Sequence, residues 1–486
     1  MAFDITQVNQ ANFNNNIVLC IAEHATGTEY FSSHGYISDF ADTPSNQPFK
    51  TRMIYPLEIN ESTDNSVDYG DLTFLYETER EWLDKTWKGY SLKVLVGDAS
   101  QPLSSFVTLI DGTNGGLNIN EATETISFNL YDKMELLNVH MQESTYTNGD
   151  KIPVSLGNCF NVTAYLIDDG TGVNYQVHDA ACTITAVRDG MVALTAGSGY
   201  TDNGDGTLVL NSAPSSKITV DVEQADKTAA QMITYLANKV GFTDLDATNL
   251  SNFTNTSILG AFYNREVTAL SAIQNISASV GAYAAINTLG LLTITLLDGV
   301  NAPTHFFTQY QIKRRSTKTV DILDPSKSVT INYARNWSVA DKNALDVAIT
   351  PDEKERYAKE YLTIKVSNTL TGFPLASDLN AKNTFFTLEA DALNETNRLA
   401  QLRNIQWTIS ELTLLNSNFD FVVGDTVSIL QQDGSEKIGR IIDARKKLDK
   451  KEAQIKLLSQ NSFLHEDLQF EGTLIEYNGE QVVYRG

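Results

Sequence analysis

The sequence predicts a mixed α+β fold that is rich in strands, with several β-barrel or β-sandwich domains and one small α/β module of two helices and a hairpin. Three observations support this prediction. The 486 residues are enough for several domains, at the usual size of roughly 100–200 residues each. Segments that alternate apolar and polar residues recur along most of the chain, and turn residues separate them. Two short helical patterns each end at a glycine.

Residues 1–140 form the first predicted domain, which is rich in strands. Within it, residues 90–96 (YSLKVLV) and 124–131 (ETISFNLY) alternate apolar and polar side chains, as strands with one buried face do. The run from Asp111 to Gly116 (DGTNGG) consists of residue types that suit positive φ angles, so it is predicted to be a loop before the second of these strands.

Residues 141–225 are predicted to form an insert that resembles a β-sandwich. The alternation of apolar and polar residues continues between residues 160 and 222, and the segments end at turn sequences rich in Asp and Gly. Those turns are Asp168-Asp169-Gly170, Asp189-Gly190 and the run from Asp202 to Gly206.

Residues 226–320 are predicted to form the α/β module. Apolar residues fall at three- and four-residue spacing over 228–240, and Gly241 follows as a helix stop. A second helix begins near Thr268, which can cap it, and ends before Gly281. The chain then continues as a predicted hairpin made of AYAAIN, Thr288-Leu289-Gly290 and LLTITLL.

Residues 321–460 are predicted to form a second β-barrel domain that includes helices, and residues 461–486 a C-terminal hairpin extension. The sequence Thr350-Pro351-Asp352-Glu353 is a helix start, because threonine caps, proline suits the first turn and glutamate completes a capping box. The charged helix 351–361 is expected on a surface or subunit boundary, and a further helix spans about 389–402. Strands are predicted around IQWTISEL, DTVSIL, KIGRIIDA and AQIKLLS, with turns at Val423-Gly424-Asp425 and Asp433-Gly434.

The composition is strongly acidic, with 36 Lys and Arg against 60 Asp and Glu residues and a formal net charge of −24. Such a chain is a poor candidate for gripping nucleic acid or an anionic membrane over a broad surface. The N-terminus lacks the basic and long apolar regions of a signal peptide. No window reaches the ~18 uninterrupted apolar residues of a membrane span. The sequence therefore predicts a protein made in the cytoplasm without a membrane anchor.

No constellation of residues in the sequence points to catalysis, a cofactor or a metal, so no site residue of these kinds is predicted. The histidines do not have metal-ligand spacing, and neither G-x-S-x-G nor a Cys near a His occurs. The run from Asp202 to Gly206 is interpreted as a hairpin turn, with an adventitious cation site as the alternative, because it lacks the alternating ligands of a calcium loop. Gly197-Ser198-Gly199 does not match a phosphate loop. Three cysteines are far apart in sequence and are expected to be buried free thiols: Cys20, Cys159 and Cys182.

Two basic clusters and four tryptophans remain as candidates for binding. The clusters are interpreted as ion-pairing surfaces for a partner subunit or as solvated surface, with nucleic-acid binding as the alternative. The tryptophans can line a sugar platform or pack in a core, and the neighbouring strand patterns favour packing. The clusters are Lys313-Arg314-Arg315 and Arg445-Lys446-Lys447 with Lys450-Lys451, and the tryptophans are Trp82, Trp87, Trp337 and Trp407.

The order of three sequence blocks resembles that of a known family. The first block consists of TEYFSSHGYISD (28–39), DTPSNQPFKTRMIYPLEI (42–59), GDLTFLYETEREWLDKTWKGYSLKVLVGD (70–98) and DGTNGGLNINEATETISFNLYDKMELLN (111–138). The second begins with KIPVSLGNCFNVTAYLID (151–168), and the third is NFDFVVGDTVSILQQDGSEKIGRIIDARKKLDKKEAQIKLL (418–458). In this order they are similar to central hub proteins at the tail tip, or baseplate, of tailed bacteriophages and related prophages.

The resemblance implies a structural virion protein and not an enzyme. It implies a homotrimer that closes the distal end of the tail tube, with two pseudo-equivalent barrel-like domains per subunit, so that three subunits face the hexameric tail as a six-fold-like ring. The implied partners are a distal tail protein or tube ring, the tape-measure protein and tail fibres or a spike. Genomic DNA would pass through the channel without specific binding. The implied location is the tail tip of the virion, after synthesis in the host cytoplasm.

Two other functions stay open on the residues alone. A virion protein that binds a receptor or glycan would carry exposed aromatic clusters, and a polysaccharide-acting enzyme would place two carboxylates across a cleft. The acidic composition motivates one further hypothesis about the hub, which is that an acidic channel wall would let DNA slide without sticking.

Overall fold

The computed structural model describes residues 16–460 with gaps at 56–57, 63–66, 69–70, 76–81, 132, 143–150, 168, 288–289, 416–418, 431–435 and 448–451, and the two strands of a C-terminal hairpin. Strands predominate over a small number of helices in these residues, so the prediction of a strand-rich, mixed α+β fold is confirmed. Among the helices described there, none is long and apolar enough to cross a membrane.

The N-terminal part forms a nine-stranded sheet in the order β3-β4-β2-β1-β9-β10-β11-β8-β5. The predicted strands at 90–96 and 124–131 are confirmed as β9 and β11 in its centre. The first eleven strands of the chain are β1 (Asn16–His24), β2 (Gly27–Ser32), β3 (Tyr36–Ile37), β4 (Pro48–Thr51), β5 (Met53–Tyr55), β6 (Glu58–Ser62), β7 (Val67–Asp68), β8 (Asp71–Leu75), β9 (Ser91–Asp98), β10 (Val107–Asn120) and β11 (Thr125–Tyr131).

The prediction of a loop from Asp111 to Gly116 is wrong, because these residues lie inside the long strand β10. Pairing with β9 extends to Thr113, and pairing with β11 begins at the same residue, so every residue of the run except Gly115 is paired with a neighbouring strand. The residue types that suggested a loop serve a β-bulge instead. The register shifts between Asn114 and Gly116, where Gly116 has φ +127° and donates its N–H to the Asn114 side chain at 2.8 Å.

The next strands form two facing sheets around a common apolar cluster. One sheet has the order β16-β15-β19-β12-β20 and the other β13-β14-β18-β17. The predicted turns after Asp189 and over 202–206 are confirmed, whereas Asp168 lies outside the described residues. The strands are β12 (Val154–Thr163), β13 (Tyr165–Leu166), β14 (Asn174–Gln176), β15 (Thr183–Asp189), β16 (Val192–Leu194), β17 (Tyr200–Asp202), β18 (Thr207–Leu210), β19 (Ile218–Glu223) and β20 (Gly260–Tyr263).

Both helices predicted in the α/β module are confirmed. One is α1 (Ala229–Lys239), which is capped by Thr228, and the other is α3 (Ala269–Ser279), which is capped by Thr268. Between them lies the short α2 (Ala247–Ser251), which the apolar pattern did not predict. The hairpin β21 (Ala282–Ile286) and β22 (Leu292–Leu296) follows, and residues 288–289 of its predicted turn lie outside the described residues.

The charged helix predicted over 351–361 is shorter than expected. The observed helix α4 (Pro351–Ala358) begins as predicted, with a capping box between Thr350 and Glu353, but the chain is extended at Lys359. Tertiary bonds cause the early end: the carbonyls of Tyr357 and Glu360 accept the backbone N–H groups of Ala340 and Asn336 at 3.1 and 2.7 Å. Residue 362 then starts a strand. The helix predicted at about 389–402 is confirmed as α5 (Glu389–Leu402).

The C-terminal part contributes a second large sheet, in the order β23-β29-β30-β31-β28-β24, to which β6 and β7 are added beside β30. A three-stranded sheet, β26-β25-β27, packs against α5. The strands are β23 (His305–Thr308), β24 (Lys318–Leu323), β25 (Ser328–Tyr333), β26 (Leu362–Ser367), β27 (Lys382–Asn383), β28 (Trp407–Leu415), β29 (Thr426–Leu430), β30 (Glu436–Lys447), β31 (Glu452–Ser459), β32 (Leu474–Tyr477) and β33 (Glu480–Val483).

Candidate functional site

A strand from the N-terminal part crosses into the C-terminal sheet. The strand β6 pairs antiparallel with β30, in a register that runs from Ser62 opposite Asp443 to Glu58 opposite Lys447. The first half of β30 pairs with β29, so β29 and β6 share one side of this long strand. We call the contact between β6 and β30, with the side chains beside it, the seam.

The two large sheets share one apolar core at the seam. Phe31, Phe74 and Phe128 of the N-terminal sheet belong to the same buried cluster as Phe421 and Ile455 of the C-terminal part. Full burial of one such side chain stabilises the folded protein by roughly 1.5–3 kcal/mol. Because the cluster is continuous, the N-terminal and C-terminal sheets are held as one packed body and not by a flexible tether.

A buried ion pair crosses the seam. Lys446 is only 1% exposed, and its ammonium donates to the carboxylate of Glu61 at 2.9 Å. The same ammonium lies 5.1 Å from the centre of the Phe421 ring, which adds a cation–π contact. A second pair, between Arg445 and Glu58, is more exposed. Two of the three residues in the predicted basic cluster at 445–447, Arg445 and Lys446, therefore form ion pairs within this chain.

The turn from Phe421 to Asp425, which we call the corner, lies next to the seam and is fixed by several hydrogen bonds. The Asp425 carboxylate accepts the backbone N–H of Val422 at 2.9 Å and lies 3.0 Å from Nε2 of His305. Gly424 has φ +99°, which other residue types rarely adopt. The hydroxyl of Tyr283, from the hairpin β21–β22, donates to the carbonyl of Val423 at 2.5 Å. The predicted turn at 423–425 is thus also a docking point for the α/β module.

A polar cavity of about 340 Å³ opens beside the seam. Three carboxylates lie on its wall, and each is engaged by a neighbour: Glu61 by Lys446, Asp443 by Lys456, and Glu411 by Lys318 and Gln454. Side chains from four adjacent strands form the lining: Asn60, Glu61, Ser62, Glu411, Asp443, Arg445, Gln454 and Lys456.

The electrostatics of this cavity do not suit acid catalysis by Glu411. Burial raises the pKa of this carboxyl, but the hydrogen bonds from Lys318 and Gln454, together with the charges of Lys318 and Lys456, outweigh burial and lower the pKa. A general acid of a glycosidase needs the opposite, a carboxyl whose pKa is raised toward neutrality. The arrangement is therefore a ladder of ion pairs across neighbouring strands, which stabilises the sheet.

A second joint fixes the insert to the segment around α4. The guanidinium of Arg188 pairs with both oxygens of Asp221 at 2.8 and 2.5 Å, and its Nε–H donates to the hydroxyl of Tyr357 at 2.9 Å. Phe160 stacks on Tyr357 with 6.0 Å between ring centres. Beside them, the Asn161 amide donates to the Ser338 carbonyl at 2.8 Å. No local sequence pattern marks this joint, because its members are distributed over 198 positions from Phe160 to Tyr357.

The tryptophans and cysteines occupy packed positions. Trp82, Trp87 and Trp407 are buried, and Trp337 is half-buried against Phe262 and Phe385, so an exposed aromatic platform does not form from these four residues. The three cysteines are buried free thiols, as predicted. Burial raises the pKa of each thiol, so all three stay protonated at neutral pH.

The remaining predicted segments lie apart from the seam. The run 202–206 is the turn between β17 and β18, in which Asp202 and Asp205 accept hydrogen bonds from nearby residues. Lys313 pairs with Glu452 at 2.6 Å, whereas 450–451 lie outside the described residues. In the part of the chain that the structure describes, no group of three or more His, Cys, Asp or Glu side chains is arranged to hold a metal ion.

Comparisons with known proteins give structural likenesses without sequence relatives. No protein-family model matches the sequence, and no curated protein matches it. The chain is similar to a prophage MuSo2 tail protein from Shewanella oneidensis, with 10% identity over 92% of this chain and 99% of that chain and a TM-score of 0.43. For a tail protein from Neisseria meningitidis the identity is 9%, the coverage 92% and 97%, and the TM-score 0.43. For a prophage tail protein from Listeria monocytogenes the identity is 11% over 92% of this chain and 95% of that chain, and the TM-score is 0.42.

Proposed function

We propose that this chain is the central hub of a phage tail tip or baseplate, a structural protein without enzymatic activity. In this proposal three copies form a ring that closes the distal end of the tail tube and leaves a channel along its axis. The seam is the observation that carries the proposal. It joins an N-terminal and a C-terminal β domain of one chain side by side, as a subunit must do if three copies are to present six similar domains.

The buried contacts at the seam support a fixed angle between the two domains. A flexible connection would let the domains of one subunit move apart, and a closed ring would lose its shape. The shared core, the pair Lys446–Glu61 and the β6–β30 pairing all resist that motion. In this reading the units 1–140 and 321–460 form the ring, and 141–225, 226–320 and 461–486 are attached to it; these boundaries stay predictions.

The proposed partners follow from the position of a hub. A distal tail protein or tube ring would lie above the trimer, tail fibres or a spike below it, and the tape-measure protein and genomic DNA inside the channel. The net charge of −24 supports passage of DNA without adhesion, because an acidic wall repels phosphate. The proposed location is accordingly the tail tip of the virion.

The two alternatives find less support in the described residues. A glycan-binding protein needs a cluster of exposed aromatic side chains, and the four tryptophans do not form one. An enzyme acting on polysaccharide needs an acid and a base or nucleophile facing a substrate, whereas the carboxylates of the seam cavity are each engaged by a neighbouring side chain.

The solution mass of the purified chain, measured by light scattering with negative-stain imaging of the same peak, tests the proposal. We expect a mass near three times 53.6 kDa and rings with a central hole. A chain that stays monomeric at high concentration, and does not form a ring when tail-tube proteins are added, would contradict the hub proposal.

A further inference from the structure

The loop before α4 and its first turns present a rigid apolar tip. Val347 is 95% exposed. The residues two positions before and after it, Leu345 and Ile349, pack into a small cluster with Met191 and Tyr357. The backbone N–H of Ala348 donates to the Asp346 carboxylate at 2.8 Å, which closes the turn that carries Val347. An apolar side chain held outward by a preformed turn loses little conformational entropy when it is covered by a partner.

The surroundings of this tip are acidic. Residues 341–355 contain five acidic and two basic residues, and both lysines are engaged within the segment. Lys342 pairs with Glu355, and Lys354 donates to the carbonyl of Leu345 at 3.1 Å. Asp352 is exposed in the first turn of α4. We call residues 341–355 the acidic knob.

A surface of opposite character lies at the edge of the C-terminal sheet. Tyr310 is 80% exposed, and residues 310–320 contain four basic residues and no acidic one. Lys313 and Lys318 pair with Glu452 and Glu411, but in both pairs the ammonium is the more exposed partner, so positive charge faces outward. Val320 and Ile322 of β24 are exposed beside it. We call residues 310–322 the basic edge; it carries four basic residues against one acidic residue, the exposed Asp321.

The edge strand itself is open. In the described part of the chain β24 pairs with β28 on one side, and no other strand pairs with it. Open edges with exposed apolar residues are natural sites for association, and proteins usually cover or charge them. The basic edge carries both the apolar residues and the charges, so a partner has to be acidic and has to offer an apolar side chain.

We propose that the acidic knob of one subunit docks on the basic edge of a second copy of this chain. Two copies that each carry a charge of −24 repel one another, so a stable contact between them has to place basic against acidic residues. The knob and the edge meet this need, and each also carries exposed apolar side chains, Val347 on the knob and Tyr310, Val320 and Ile322 on the edge. Because they are different surfaces, the contact is head-to-tail, and repetition closes a ring if the rotation allows it. This inference rests on the proposed homotrimer for the number of copies.

Charge reversal at the basic edge tests the contact. The variant Arg314→Glu with Arg315→Glu is expected to raise the dissociation constant of self-association about tenfold or more, because like charges would then face each other. The control is Lys88→Glu with Arg265→Glu, which changes the net charge equally at exposed positions of other segments and is expected to keep the wild-type mass. Adding Asp352→Arg to the first variant is expected to restore part of the affinity. Sedimentation velocity over a range of concentrations measures all four chains.

The apolar tip has its own matched pair of variants. Val347→Asp is expected to weaken self-association about tenfold, whereas Leu375→Asp, at a residue that is also 95% exposed but lies outside the knob, is expected to leave it unchanged. Cysteines introduced at Val347 and Ile322 are expected to form a cross-link between copies under mild oxidation, since the three native thiols are buried.

The outcomes separate the two proposals. A wild-type chain that is monomeric contradicts the homotrimer and, with it, this contact. A wild-type trimer whose dissociation constant is the same after Arg314→Glu with Arg315→Glu, and after Val347→Asp, leaves the homotrimer in place and contradicts the docking of knob on edge. Equal losses in the Lys88→Glu with Arg265→Glu control would show a general charge effect and would likewise overturn it.

Discussion

The ammonium of Lys446 lies 2.9 Å from the carboxylate of Glu61, although 385 positions separate the two residues in the sequence. Both side chains are largely removed from water, and the strands that carry them pair directly. The pair therefore links the first and last β-rich parts of the chain at the centre of the seam.

Removing one partner of this buried pair is expected to destabilise the protein strongly. Glu61→Gln leaves the Lys446 ammonium buried without its counter-charge, which should lower the free energy of unfolding by about 3–5 kcal/mol. Replacing both, as Lys446→Met with Glu61→Leu, should cost far less because no charge stays buried. Arg445→Met is the control at the neighbouring, more exposed pair, where the loss should be under about 1 kcal/mol. Urea unfolding measures all three, and equal losses in Glu61→Gln and Arg445→Met would contradict this account.

The corner glycine is expected to be irreplaceable for two distinct reasons. Gly424→Ala places a side chain at φ +99° and against the Tyr283 hydroxyl, so the loss should be about 2–4 kcal/mol. Gly372→Ala, at φ +88° with open space around it, isolates the backbone contribution and should cost about 1–2 kcal/mol. Adding Tyr283→Phe to Gly424→Ala should recover part of the difference in thermal unfolding. If the two alanine variants were equally stable, the overlap with Tyr283 would have no importance.

The joint between the insert and α4 is expected to depend on Arg188. Arg188→Met leaves the Asp221 carboxylate without its bidentate partner and should cost about 3–5 kcal/mol. Tyr357→Phe removes only the hydroxyl that accepts from Arg188 and should cost about 1–3 kcal/mol. Lys365→Met, at an ion pair in which both side chains are half exposed, serves as the control and should cost under about 1 kcal/mol. Protease cleavage of the insert should rise in the order of these losses, and a reversed order would refute the assignment.

The stability of the insert is expected to fall in acid because of His178. Burial lowers the pKa of this imidazole from 6.5 to about 4; the Asp179 charge acts in the opposite direction and the Lys239 charge in the same one. The unfolded chain therefore binds the proton first as the pH falls. The contribution is fully present above pH 6.5 and is lost progressively between pH 6.5 and about 4, by about 3 kcal/mol in total.

His178→Asn tests this pH dependence. The asparagine oxygen can accept the Ser155 N–H that Nδ1 of His178 accepts at 3.1 Å, and it does not titrate. The variant should therefore show a smaller loss of stability between pH 6.5 and 4 than the wild-type chain. Identical slopes for the two chains in urea unfolding would contradict the role of His178.

The acidic surface is expected to leave DNA unbound. With a net charge of −24, the purified chain should not retain double-stranded DNA in a filter or mobility-shift assay even at about 50 mM salt, where nonspecific binding is strongest. Retention that weakens as salt is added would instead indicate a basic channel wall and would contradict the sliding hypothesis.

Local sequence signals predict that a helix or strand is present better than they predict the residue at which it ends. The helix starts at Thr228, Thr268 and Thr350 are correct because a capping side chain bonds within its own first turn. The end of α4 at Ala358 was missed because carbonyls at that end are bonded by the loop around Asn336 and Ala340. The glycine- and asparagine-rich run in β10 has the composition of a loop for the same reason, since the partners that make it a strand lie on β9 and β11.

The amino-acid pattern alone predicts a chain that is acidic, rich in strands, punctuated by Asp–Gly turns and built with packed tryptophans and buried thiols. These properties depend on composition and on neighbours within a few positions, so they can be read along the chain. Which strands meet depends on the packing of the whole fold. That packing paired β6 with β30, buried Lys446 against Glu61 and left the knob and the basic edge exposed. Contacts between residues hundreds of positions apart depend on the packing of whole sheets, and the local pattern of either strand does not specify its distant partner.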